Sequence, residues 1–287
     1  AGGVAGIGGS FMVPGHGGGT GFSGSVISVA GAGANSYFGD GGVAPGVIDG
    51  TSRSGVAGSS FGAGASGAAA VNVGTGALGA AGFHVELPRL AGHGTNVEEM
   101  MDTRWADWSR DAENALSELR KRCSKVVVVG LSMGGALTLW LASRHADLSG
   151  IVCINPTTKS SPAKLAGARL AVKAGKKFAP AIGSDISDPA VKETSYDANP
   201  LEPAISLFAD GLKPLSKTYG SIKVPLLLFT ATNDHVVSPK ESDFLANKYA
   251  GSIERVVLER SFHVATQDVE KETVNAKALE FAKRVTA

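Results

Sequence analysis

From Phe83 to the C-terminus, short apolar runs alternate with longer amphipathic stretches. Val126-Val127-Val128-Val129, Gly150-Ile151-Val152-Cys153-Ile154-Asn155 and Pro225-Leu226-Leu227-Leu228-Phe229-Thr230 read as strands buried on both faces. Phe83 to Leu87 and Glu254 to Leu258 read as two more. Between them, Trp105, Trp108, Ala112, Ala115, Leu116 and Leu119 recur at three- and four-residue steps, which predicts one helix from about Asn96 to Arg122 with these side chains on its buried face. An apolar helix is predicted after Gly134, a Glu/Lys/Ala-rich one after Pro239, and an amphipathic one from near Asp268. Alternating strands and helices predict the α/β class, with a mostly parallel sheet covered on both faces. Between Asn155 and Ile222 the pattern loosens.

Upstream of Phe83 the pattern disappears. Residues 1–82 hold 27 of the 39 glycines, only three charged residues (Asp40, Asp49 and Arg53) and one leucine, Leu78. Such a Gly/Ala/Ser stretch buries little apolar surface and loses much backbone entropy on ordering, so taken alone it is expected to be flexible. The expected organisation is therefore a glycine-rich segment, 1–82, and a folded domain, 83–287. The first is either a diverged or misrecorded first third of that domain or a fused module. The former is preferred, because without its strands the sheet would expose an edge.

The strand Val126–Val129 runs into Gly130-Leu131-Ser132-Met133-Gly134 and then a helix. Strand, sharp turn and helix are the setting in which a G-x-S-x-G match becomes a nucleophile elbow, with the serine hydroxyl standing clear of the backbone. A serine needs a base to take its proton and a third group to orient that base. Asp234 follows the strand ending at Thr230, and His263 follows the strand ending at Leu258, so both lie past strand ends in the order Ser, acid, His. As bare residues each has a plainer reading: Asp234 fits a turn-former capping the next helix, and His263 a packing histidine. His16, His84, His93, His145 and His235 are further histidines, and His235 is the rival base. Its adjacency to Asp234 argues against it, because acid and base must converge from different strand ends.

With these segments in place, the chain from about Gly82 onward resembles the small bacterial carboxylesterases and monoacylglycerol lipases of the α/β-hydrolase superfamily. The likeness rests on Gly82-Phe83-His84-Val85-Glu86-Leu87-Pro88-Arg89-Leu90-Ala91-Gly92-His93-Gly94, on Trp105-Ala106-Asp107-Trp108, on the elbow, and on the Asp234 and His263 segments. The spacings of 102 residues from Ser132 to Asp234 and 29 from Asp234 to His263 also suit that family. The resemblance implies an α/β-hydrolase fold with a small cap, about 156–222, inserted after the sixth strand. It implies hydrolysis of short- to medium-chain acyl esters or monoacylglycerols by Ser132, Asp234 and His263 through an acyl-enzyme, without cofactor or metal. One oxyanion donor would be the Met133 N–H. The other usually comes from a His-Gly-x-x-Gly turn, which family spacing places near Phe61 to Gly67, where no histidine stands. Gly62 to Gly64 could still donate through the backbone, and His16-Gly17-Gly18-Gly19 lies far upstream. Thioesterase or amidase chemistry on the same triad, and a non-catalytic hydrolase-fold binding protein, remain as alternatives.

In the cap region Lys159, Lys164, Arg169, Lys173, Lys176 and Lys177 form a basic run with no acid until Asp185. Its interleaved apolar residues suit either a lid lying on anionic or lipid surfaces or a solvated helix with its apolar face on the pocket. The second is expected. Leu201, Ile205, Leu207, Phe208 and Leu212 are expected at an acyl site. A net charge of +1 gives no reason to propose nucleic acid, and Cys123 and Cys153 do not suggest a disulfide framework. Neither an integral membrane segment nor a signal peptide is visible, so a cytoplasmic protein with a small-molecule ester substrate is the expectation.

Overall fold

The computed structural model describes residues 77–193 and 195–287, together with the backbone of residues 24–29. Its strands are β1 (Gly24–Val29), β2 (His84–Glu86), β3 (Lys125–Leu131), β4 (Gly150–Ile154), β5 (Phe178–Pro180), β6 (Ala198–Pro200), β7 (Leu226–Ala231) and β8 (Ile253–Leu258). Six form a parallel sheet in the order β2-β1-β3-β4-β7-β8, while β5 and β6 make a separate antiparallel pair. The helices are α1 (Val97–Met101), α2 (Trp105–Arg120), α3 (Met133–Arg144), α4 (Pro162–Lys173), α5 (Leu201–Ser206), the single turn α6 (Lys213–Leu215), α7 (Pro239–Ala246) and α8 (Lys271–Thr286). This is the α/β-hydrolase arrangement, a central parallel sheet flanked by helices.

The period-two pleat divides the core in two. Val126 and Val128 of β3 join Ile151, Cys153, Leu226 and Leu228 beneath α2 and α3. The alternate residues Val127, Val129, Val152, Leu227 and Phe229 pack against Val274, Ala278 and Phe281 of α8 on the opposite face. Burial on both faces explains the apolar runs Val126–Val129 of β3, Gly150–Ile154 of β4 and Leu226–Phe229 of β7, whereas the edge strand β8 keeps Glu254 and Arg255.

The strand beside β3 comes from further upstream than family spacing suggests. Gly24–Val29 occupies that position, with Val29 level with Gly130. Its sequence, Gly-Ser-Val-Ile-Ser-Val, carries three β-branched residues, whereas Gly55 to Ser60, just before the place where family spacing puts the His-Gly-x-x-Gly turn, has only Val56. The Gly62 to Gly64 segment, proposed from spacing as an oxyanion donor, lies outside the described residues.

The single helix expected from Asn96 to Arg122 is two helices. Thr103 Oγ donates to the Met100 carbonyl and closes the first, and Asp107 Oδ2 accepts the Arg104 N–H and starts the second. These side chains offer the backbone an alternative to a continuous helical ladder. The cap insertion follows four described strands of the main sheet, against six in the family's count. Within it, α4 has no fully buried residue: Leu165, Ala168, Ala171 and Val172 are half-buried along one face while Leu170 is 69% exposed, so the apolar face is seated only in part and falls short of full burial. Its short alanine-rich surface offers little area to drive that burial.

Candidate active site

Ser132 sits between the end of β3 and the start of α3, with φ 56° and ψ −119°. This is a left-handed, strained conformation for a residue with a side chain, and it persists because the flanking structure fixes it. The Ser132 N–H donates to the Ile154 carbonyl at 3.0 Å, and its own carbonyl accepts from the Thr157 N–H at 3.1 Å. Crowding explains the glycines. A Cβ on Gly130 would overlap the Gly134 carbonyl and the Thr138 hydroxyl, and one on Gly135 would come within 2.6 Å of Pro156 Cβ. Met133 is the first residue of α3, so its N–H has no partner earlier in the helix.

Asp234 lies in the turn after β7. Its Oδ1 accepts the N–H groups of Val236 and Val237 at 2.8 and 2.7 Å, while Oδ2 lies 2.7 Å from His263 Nδ1. The two side chains are nearly enclosed, at 1% and 7% exposure. His235, the rival, is 64% exposed and bonds Asp185 instead. The loop bearing His263 is tied down by carboxylates: Glu270 Oε2 accepts the N–H groups of Arg260 and Ser261, and Asp268 Oδ2 accepts that of Phe262.

Sequence reasoning missed Asn155. It follows β4 with φ 44°, a conformation asparagine tolerates better than most residues. Its Oδ1 accepts the N–H of Ala231, the last residue of β7, at 2.7 Å, and its Nδ2 donates to the His263 carbonyl at 2.8 Å. Ile154 just before it and Thr157 two residues after it hold the Ser132 backbone. One short turn therefore anchors the serine, the end of the acid-bearing strand and the histidine loop together. A polar residue closing an otherwise apolar strand was the signal available.

His93 is enclosed, and burial holds its pKa down at about 4. It is therefore neutral near pH 7. Its Nδ1 donates to the Ala91 carbonyl at 3.1 Å, which leaves Nε2 an unpartnered acceptor in the interior. Leu207, Leu212 and Met133 belong to one core cluster, and Phe208 packs against it.

In the cap, burial pushes the Glu193 carboxyl up to about 8, with the neighbouring Asp185 charge adding to the rise and a hydrogen bond from the Asp185 backbone opposing it. A carboxyl raised from its ordinary value destabilises the fold only as it ionises. The loss should therefore set in above about pH 4.5 and be complete by about pH 8. Glu193→Gln should flatten that slope and raise the thermal midpoint at pH 8 but not at pH 4. Parallel melting curves for both proteins would show no such difference were the carboxyl solvated.

Among the described residues no group of three or more His, Cys, Asp or Glu side chains is placed to hold a metal ion, and no helix is long and apolar enough to cross a membrane. Cys123 and Cys153 are buried free thiols.

A family model described as serine aminopeptidase, S33, matches residues 68–270. The chain is 37% identical over 195 residues to a thermostable monoacylglycerol lipase of Bacillus sp. (strain H-257), which covers 67% of this chain and 76% of the relative. A solved structure from a study of LipS and LipT, two metagenome-derived lipolytic enzymes, superimposes with a TM-score of 0.76 at 28% identity, covering 92% of this chain and 95% of that one. A monoacylglycerol lipase of Paleococcus ferrophilus shares the fold at a TM-score of 0.59 and 20% identity, over 93% of this chain and 96% of that one.

Proposed function

Because the chain belongs to the serine aminopeptidase S33 family and is an esterase/lipase-type hydrolase, we propose that it cleaves monoacylglycerols and short- to medium-chain acyl esters with Ser132, Asp234 and His263. The observation that carries this is the enclosed 2.7 Å contact between His263 Nδ1 and Asp234 Oδ2, on a loop that the Asn155 turn ties to the backbone of a serine on a strained elbow. Asp234 fixes the tautomer that leaves Nε2 of His263 as the base. That nitrogen takes the Ser132 proton as Oγ attacks the ester carbonyl, and the negative charge falls on the carbonyl oxygen within reach of the Met133 N–H. His263 returns the proton to the leaving alcohol. Water then attacks the acyl-enzyme by the same route and releases the acid. Leu207 and Leu212, in the same core cluster as Met133, and Phe208, which packs against that cluster, are the residues we assign to the acyl chain.

The test is a panel: p-nitrophenyl esters from acetate to palmitate, 1-monoacylglycerols over the same range, and aminoacyl p-nitroanilides. Ester turnover of about 1 to 10³ s⁻¹, greatest at short to medium acyl length, is expected. A folded protein inert to every ester, or one that prefers the anilides, overturns the proposal.

A further inference from the structure

Asp185 stands in the cap, between α4 and β6, yet its carboxylate reaches both loops that carry the triad partners. Its Oδ2 accepts the backbone N–H of His235 at 3.1 Å and that of His263 at 3.1 Å. Its Oδ1 lies 2.7 Å from His235 Nδ1, and its main-chain carbonyl accepts the Val264 N–H at 3.1 Å. His235 is the residue next to Asp234, whose Oδ2 contacts the His263 ring. The four residues thus close a ring: Asp185 to His235, along the chain to Asp234, across to His263, and back to Asp185.

The neighbouring chain strengthens the attachment. The N–H groups of Ser187 and Asp188 donate to the Asp268 carboxylate, which also receives the N–H of Phe262. Ile186 packs against the core cluster beneath the sheet. The Asp185 side chain is 13% exposed, so little water competes for its acceptors. A solvated surface aspartate would not need two main-chain donors from two separate loops.

We propose that Asp185 is a positioning residue, a carboxylate carried by the cap that holds the acid turn and the base loop in register. Seating the cap and aligning His263 against Asp234 are then one event. The inference rests on the proposed roles of Ser132, Asp234 and His263. It adds a cap residue that touches neither substrate nor reacting atoms and acts through the backbone of the base loop.

The experiment compares Asp185→Ala and Asp185→Asn with the parent chain on p-nitrophenyl butyrate, with active sites counted by a phosphonate that labels serine hydrolases. Asparagine can accept both main-chain N–H groups on its oxygen and place its amide against His235 Nδ1, so it tests the hydrogen bonds separately from the charge. Asp185→Ala should lose kcat per active site by about 10- to 100-fold with KM little changed, the scale of a displaced catalytic group. Asp185→Asn should recover most of that loss. The downfield proton signal of the His263–Asp234 contact should broaden in the alanine variant and return in the asparagine one. An alanine variant with parental kcat per site overturns the proposal, as does one whose whole effect is on KM or on the folded fraction. So does an asparagine variant as impaired as alanine. Should alanine prevent folding, Asp185→Ser, too short to reach either loop, is read by the same criteria. Ser132→Ala run alongside separates the two readings: retained turnover there would sink the triad, whereas a dead Ser132→Ala beside a fully active Asp185→Ala sinks only the role of Asp185.

Discussion

Ser132→Ala should lower kcat on esters by a factor on the order of 10⁶, the scale seen when a member of a serine–histidine pair is removed. The variant keeps its fold, because what holds residue 132 is main-chain bonding to Ile154 and Thr157 rather than its hydroxyl. His263→Ala should fall as far, and the double variant no further, since a base without its nucleophile has nothing left to deprotonate. Asp234→Asn is the more discriminating change. Its oxygen can still accept the Val236 and Val237 N–H groups, so the turn survives. The amide would then face His263 Nδ1 and favour the wrong tautomer, at a cost of about 10⁴-fold in kcat. Steady-state rates on one soluble ester decide it, and a Ser132→Ala protein retaining even a tenth of parental turnover would place the chemistry elsewhere.

What the sequence disclosed and what it hid divide along a physical line. Strands β3, β4 and β7 were legible because burial on both faces leaves an unbroken apolar run, and G-x-S-x-G was legible because close approach of strand and helix demands small residues. The pairing of His263 rather than His235 with Asp234 followed from strand-end geometry alone. Asn155 and Asp185 left little trace, because all but one of the partners named for their side chains are main-chain groups far along the chain, and a main-chain group looks the same whatever residue bears it. The break between α1 and α2 was hidden for a related reason: the apolar spacing runs through it, and the side-chain bonds at Thr103 and Asp107 decide it. Strand β1 was obscured by its glycine-rich surroundings. Its few β-branched residues suffice for pairing once β2 and β3 present edges on either side.

Gly130→Ala should be the most damaging added methyl among the described glycines. Gly130 is central in the sheet, paired with Val29 and Cys153, so β3 cannot move aside without breaking two ladders. The added Cβ would overlap the carbonyl of Gly134 in the first turn of α3, and backbone cannot rotate away as a side chain can. Thr138 closes the remaining space and is itself fully buried. The helix would have to withdraw from the sheet, taking Ser132 with it. A loss of about 3 kcal/mol or more is expected, the upper range for overpacking. For a domain of this size that is a fall in thermal midpoint of roughly 6 to 12 °C. Gly167→Ala is the matched control. It lies within α4 with nothing inside 4 Å of the added carbon, so only helix propensity acts, and a gain of about 0.5 to 1 kcal/mol should follow. Thermal melts of the two variants carry opposite signs for the same chemical change. Turnover separates them as well, since the elbow is strained already and further displacement of Ser132 costs activity, whereas α4 touches none of the triad loops through Gly167. A Gly130→Ala protein with the parental midpoint would mean that strand and helix are not held as closely as the elbow requires.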